Sequence, residues 1–404
     1  MLSFLPTRLL ASPYAKILGW TLVAAVLFFP FFVLQAVDQN GQLSLAPLTY
    51  RPYLLAVLGV FLGLCGVFFL PAPLRALARS CPNITVSEGQ KTGLQVLLVL
   101  GLIILPLVSN RAELDLATVV LLSIALAWGM TIVVGYAGLL DLGYIAFYAV
   151  GAYAYALLST GHGVSFWVAL PLCALLPAAL AFFVGFPILR LRGDYFAIVT
   201  LGFAEIVRTL LINAQEITGG PNGVAEIPRP TVFGWGAADL DERMMMLYGL
   251  ALAWAVVVYC VMRRLRVLPL GRAWEALRED EIAARSLGVN VHRMKLSAHM
   301  MGAMIAGICG AFFAAKQGFV SPESFTFLDT AFLLAMVVLG GMGSPWGVAL
   351  AATLIVALPE FSRSFADYRM LFFGMVMVMV MIFRPGGFAA TRRPSILYTP
   401  QDKP

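Results

Sequence analysis

The feature that most restricts this chain is a succession of apolar segments, many near the roughly 20 residues that cross a bilayer core of about 30 Å. They fall at about 17–37, 53–70, 94–109, 116–134, 142–159, 166–186, 195–212, 244–262, 297–315, 328–342, 346–361 and 370–383. The 404 residues are 61% hydrophobic and only 12% charged, whereas a soluble domain is about half apolar and a quarter charged. The expected class is an all-α polytopic membrane protein. A transmembrane barrel would instead alternate polarity in short stretches. The first apolar run is too long for a secretory signal core and lacks a clear cleavage site, so it reads as a span.

A net charge of +6 suggests nucleic acid in a soluble protein, but here the basic residues pin cytoplasmic loops. Alternate connections carry Arg8 and Lys16, then Arg75, Arg79 and Lys91, then Arg190 and Arg192, then eight basic residues between Arg263 and Lys295, and the tail. The opposite connections are poorer in Lys and Arg, which puts both termini in the cytoplasm. Residues 213–243 then form the longest external loop, and an acidic one. The polar connection 71–93 separates a two-span extension (1–93) from a core (94–390), followed by a tail at 391–404.

No chemistry of catalysis is readable. Cys65, Cys81, Cys173, Cys260 and Cys309 are scattered, mostly in apolar runs, and read as packing residues. His162, His292 and His299 have no metal-ligand spacing. "SEGQKTG" at 87–93 superficially resembles a phosphate loop, but Gln90 separates Gly89 from Lys91. Neither a catalytic residue nor a metal site is expected.

Two Gly-rich stretches interrupt the apolar pattern, at 133–158 with Gly135, Gly138, Asp141 and Gly143, and at 337–352 with Gly340, Gly341, Gly343, Pro345 and Gly347. Backbone opened at membrane depth must be covered by protein or line a cavity, and such breaks mark the path in repeat-built transporters. The competing reading is close helix packing. The path is expected to involve Gly135, Tyr136, Gly138, Asp141, Gly143, Thr200, Gly202, Gly340, Gly341 and Gly343. Asp141 is also placed to cap a helix, and Glu205 and Arg208 to pair at i,i+3. "TGGPNGV" at 218–224 reads as a structured external loop, or as a docking surface through Gly219, Gly220, Pro221 and Asn222.

The segment 270–296 concentrates charge between two apolar segments. Ala273, Leu277, Ala284, Leu287 and Val291 fall on one face of a single expected helix, with Gly288 placed to end it. Mixed charge around a small apolar stripe suits a groove on another protein better than anionic lipid.

The segments "GYAGLLDLGYIAFYAVGAYAYALL", "LRLRGDYFAIVTLGFAEIVR", "TGGPNGV", "GRAWEALREDEIAARSLGVN" and "LGGMGSPWGV" together resemble the permease family of high-affinity branched-chain amino-acid ABC importers, specifically its larger M-type membrane subunit, over about residues 95–390. The resemblance implies a core of about ten spans like type II (vitamin-B12-permease-like) importers. It implies a second homologous permease subunit as heterodimer partner, two cytoplasmic ATPases that bind ATP–Mg, and a periplasmic solute-binding protein, all in a bacterial inner membrane; this chain itself holds no cofactor. The 263–296 loop would be the coupling loop, engaging the ATPases through Arg272, Glu275, Leu277, Glu281, Ala283, Ala284, Leu287 and Gly288. The family's E-A-A-x-x-x-G pattern fits at Ala283, Ala284 and Gly288, but Ile282 stands at the Glu place and Glu281 one position early. The implied cargo is leucine, isoleucine and valine. The alternatives are a urea or short-chain amide importer and, in a different class, a stand-alone ion-coupled transporter or channel.

Overall fold

The computed structural model describes residues 34–39, 42–47, 110–191, 193–230, 240–361 and 374. The expected spans at 53–70 and 94–109, most of those at 17–37 and 370–383, the 71–93 connection and the tail lie outside the described residues.

One expectation is corrected at the start of the chain. Residues 34–37, read as the end of the first span, are strand: β1 (Leu34–Gln39) pairs antiparallel with β2 (Gln42–Pro47), in register from Leu34↔Pro47 to Gln39↔Gln42. Gln35, Asp38 and Gln39 interrupt the apolar run and allow period-2 alternation, and the two residues between the strands are Asn-Gly, the pair short hairpins favour.

From residue 110 onward the described chain is helical. The helices are α1 (Arg111–Met130, prolonged by a π turn at Thr131–Tyr136), α2 (Tyr144–His162), α3 (Phe166–Ile188), α4 (Asp194–Asn213), the short α5 (Gln215–Thr218), α6 (Leu240–Val267), α7 (Pro269–Glu279), α8 (Glu281–Ser286), α9 (Val291–Gln317), α10 (Phe327–Gly340) and α11 (Pro345–Phe361). Among the described residues, six helical segments are long and apolar enough to cross a membrane: Arg111–Tyr136, Phe166–Ile188, Asp194–Asn213, Glu242–Val267, Val291–Gln317 and Pro322–Gly340. Their ends follow local chemistry. Asn110 and Glu113 form a capping box at α1, Thr326 and Asp329 another at α10, and the Asn290 side chain accepts from Arg293 N–H at α9. Gly318 in the left-handed region closes α9.

The core centres on α9, which packs on α2, α3 and α1, while α6 lies against α1. Small residues set these distances. A methyl group at Gly151 would lie 2.2 Å from the Gly307 carbonyl oxygen, and one at Gly307 would lie 2.1 Å from that of Cys173. Helices pack this closely in lipid because no hydrophobic force draws them together and intimate van der Waals contact must do so. The Tyr144 hydroxyl, at the start of α2, donates to Gly302 O of α9 at 3.0 Å. By contrast, α3 exposes Trp167, Leu175, Phe182 and Phe183 on its outer side, as expected of a helix that is apolar all round.

Candidate functional site

The charged segment is two helices rather than one. At Asp280 the backbone is extended (φ −155°, ψ 113°), and its carboxylate accepts from the N–H groups of Ile282 (2.7 Å) and Ala283 (3.0 Å), ending α7 and capping α8. The continuous apolar face expected across 273–291 is therefore split. Leu277 and Ala284 are buried, but Leu287 is 84% exposed. Gly288, with φ +85°, closes α8: Val289 N–H donates to Ala284 O, and Gly288 N–H to Arg285 O.

α7 is held to the permease body. Trp274 is fully buried, and its Nε1–H reaches both Met294 O (3.0 Å) and Ser297 Oγ (3.1 Å) on α9. Gly271 allows the tight turn out of α6, since a Cβ there would lie 2.1 Å from Leu265 O. Glu275 pairs with Arg266 at 3.5 Å, whereas Arg272 is exposed. α8 is fastened through Glu281, whose carboxylate lies 2.8 Å from the buried Lys295 Nζ and 3.5 Å from Arg285. Its outer surface presents Ile282, Ala283 and Leu287.

The two Gly-rich stretches break later than their first glycines. Gly135 lies inside the π turn, Gly340 is the last residue of α10, and Gly347 is within α11. The irregular backbone runs through 137–143 and 341–344, where Gly138 (φ +70°), Gly341 and Gly343 (both φ +100°) occupy the left-handed region that only glycine enters cheaply. Gly340 is instead a packing residue, since a Cβ there would lie 2.4 Å from Val348 Cα.

These two turns adjoin each other and the charged segment. Arg278 of α7 donates from Nη1 to Gly135 O at 2.6 Å. A Cβ at Gly138 would meet Arg278 Cγ at 3.0 Å, one at Gly135 would meet Gly343 N at 3.1 Å, and one at Gly343 would meet Arg278 Nη1 at 3.7 Å. Trp128 of α1 donates from Nε1 to Pro345 O at 2.8 Å. Neither Arg278 nor Trp128 stood out in the sequence, because their partners lie 143 and 217 residues away.

Beside this junction, Asp141 is fully buried. Its Oδ1 accepts from Gly143 N–H at 2.8 Å, so it caps the residue that opens α2, and its Oδ2 lies 3.3 Å from Nδ1 of the buried His299. Thr200 Oγ1 accepts from Leu142 N–H at 3.1 Å, and a Cβ at Gly143 would lie 2.3 Å from Thr200 O. Tyr136 is buried nearby in sequence. Gly202 stands apart: it is exposed, and a Cβ there would meet nothing within 4 Å. Glu205 and Arg208 do pair on α4, at 3.6 Å.

The 218–224 loop is structured. Gly219, Gly220 and Gly223 all have positive φ, and Val224 exchanges two backbone hydrogen bonds with Val320. Gly220 is buried, leaving Pro221 and Asn222 as the exposed tip. Among the described residues no three His, Cys, Asp or Glu groups stand close enough to hold a metal ion.

Helices long and apolar enough to cross a membrane, glycine-dependent turns and a charged two-helix arm with an apolar outer surface are the features of a polytopic membrane protein. Residues 113–381 match the family described as the branched-chain amino acid transport system / permease component, and this chain belongs to that family. It is 47% identical over 367 residues to the high-affinity branched-chain amino acid transport system permease protein LivM of Escherichia coli, covering 83% of this chain and 86% of that protein. It is 51% identical over 326 residues to the protein of the same description from Salmonella typhimurium, covering 76% of each. A more distant likeness, 27% over 180 residues (42% of this chain, 46% of the other), is to the autoinducer 2 import system permease protein LsrC of Yersinia pestis. No solved structure matches the chain at a significant level.

Proposed function

We propose that this chain is the larger membrane-spanning subunit of an ATP-driven importer of leucine, isoleucine and valine. The observation that carries this reading is the identity of nearly half over most of both chains with the E. coli permease. On this reading the core has about ten spans in the type II arrangement, and both termini face the cytoplasm of a bacterial inner membrane. The chain pairs with a second, homologous permease and receives solute from a periplasmic binding protein, for which the Pro221–Asn222 tip is the candidate contact. Two separate ATPases bind and hydrolyse ATP–Mg, and this chain contributes no catalytic residue.

The arm is built for that division of labour. α7 is anchored by Trp274, while α8 turns Ile282 and Leu287 outward, where an apolar groove on an ATPase would bury them. Closure of the ATPases moves α8, and α7 carries the motion into α6 and α9, alternating access between the two permeases. The test is uptake by proteoliposomes holding both permeases and both ATPases, with the binding protein and ATP. Saturable leucine, isoleucine and valine uptake is expected. Uptake of urea in their place overturns the cargo, and uptake by this chain alone on an ion gradient overturns the class.

A further inference from the structure

We propose that Arg278 is the positioning residue through which movement of the arm reaches both irregular turns at once. This rests on the reading of the arm as the segment that docks the ATPases. Arg278 follows Trp274 by one helical turn, so its backbone is fixed to α9 by the best-anchored residue of the arm. Its aliphatic stem lies over Gly138, where a Cβ would sit 3.0 Å from Cγ and 3.3 Å from Cα. Its guanidinium ends on Gly135 O, at 2.6 Å.

That carbonyl lies in the last turn of a long helix, where carbonyl groups lack intrahelical donors and carry partial negative charge. A guanidinium there satisfies the acceptor and complements the helix end. It also brings the second turn into the same assembly, because Gly343 packs against both Gly135 and Arg278 Nη1. The Trp128–Pro345 hydrogen bond braces the second turn to the first helix a little further on. Displacing Arg278 therefore loads the Gly135 carbonyl directly and the 341–344 turn through its packing.

Arginine suits this task in a way lysine does not. Its planar fork donates in a fixed direction at the end of a long stem, whereas an ammonium is a strongly hydrated point charge on a flexible one.

The experiment uses the complete importer in proteoliposomes and reads two quantities, leucine uptake and ATP hydrolysis. With Arg278→Ala, ATPases should still co-purify and hydrolysis should stay within about twofold, while leucine moved per ATP falls by about tenfold, the scale of a coupling free energy. Arg278→Lys should rescue part of the loss. A residue of merely structural importance would lower the amount of assembled complex and leave the ratio unchanged. An unchanged ratio in Arg278→Ala overturns the proposal, as does loss of ATPase co-purification, which would make Arg278 a docking residue. Gly138→Ala tests the same link from the other side, even where Arg278→Ala does not insert. Its added methyl presses on Arg278 Cγ and also strains the positive-φ backbone of the first turn, so the ratio should fall, and an unchanged ratio overturns the proposal. Wild-type complex that takes up leucine without ATP overturns the docking reading itself, and the inference with it.

Discussion

Glu281 and Lys295 meet at 2.8 Å across the joint between α8 and α9, with the lysine almost wholly enclosed. The pair explains why an acid stands one position before the place the family pattern assigns it. Glu281 holds α8 to the permease, and the next position, Ile282, is left facing outward. Glu281→Lys sets two ammonium groups against each other and should free α8, abolishing ATPase co-purification while the chain still inserts. Glu281→Gln keeps a hydrogen bond but removes the charge facing the buried ammonium, and should cost about 1.5–3 kcal/mol, visible as a fall in thermal stability. Equal behaviour of the two variants would remove the ion pair from the account.

Ile282 on α8 and Leu287 at its C-cap are the large apolar residues that this part of the arm exposes, and neither packs in the permease core. Leu287→Asp should leave the melting temperature of the isolated chain in detergent unchanged within experimental scatter. The same change should weaken ATPase binding by about 10–100-fold, as for an apolar anchor lost from a small interface. Retained binding would place the ATPase contact elsewhere.

Trp274 fills a fully buried position and satisfies Met294 O. Trp274→Phe keeps most of the volume and loses the N–H, but Ser297 Oγ still donates to Met294 O at 2.7 Å, so a loss of only about 0.5–1.5 kcal/mol is expected. Trp274→Ala adds a cavity and should cost about 3–5 kcal/mol. Denaturant or thermal unfolding in detergent measures both, and transport should follow stability in each.

Gly143 and Gly202 were both expected on the path, yet they sit in opposite environments. Gly143→Ala drives a methyl group against the Thr200 carbonyl, 2.3 Å away, and should block uptake or assembly. Gly202→Ala meets open space and, within α4, should stabilise the helix by about 0.5–1 kcal/mol. Blocked uptake in Gly202→Trp with normal assembly would place Gly202 on the path, and normal uptake would take it off.

Asp141→Asn should retain the bond to Gly143 N–H, whereas Asp141→Ala strands that donor in the core and should cost about 1–3 kcal/mol. Indistinguishable melting temperatures for the two variants would show that the cap contributes nothing.

Apolar length and loop charge made the spans and the arm legible, because both are carried by neighbouring residues. The expected spans from 116–134 to 346–361 each correspond to a helix. The hairpin at 34–47 was hidden by the apolar residues beside it, and the division of the arm by the capping chemistry of one aspartate. The junction itself was illegible for a different reason. Gly135, Gly138 and Gly343 announced unusual backbone, but nothing periodic connects them to Arg278 or joins Trp128 to Pro345. Such contacts exist only once α1, α7 and the 341–344 turn are packed, and a single side chain reaching across the fold leaves no local pattern.

The break at Asp280 has an evolutionary corollary. On the proposed reading, it separates residues packed on the permease interior, on α7, from residues offered to an ATPase, on α8. Mutations on α8 can therefore drift with the ATPase surface while the interior stays constant. A chimera carrying another importer's 281–287 sequence on this chain should accept that importer's ATPases and still carry this chain's own cargo.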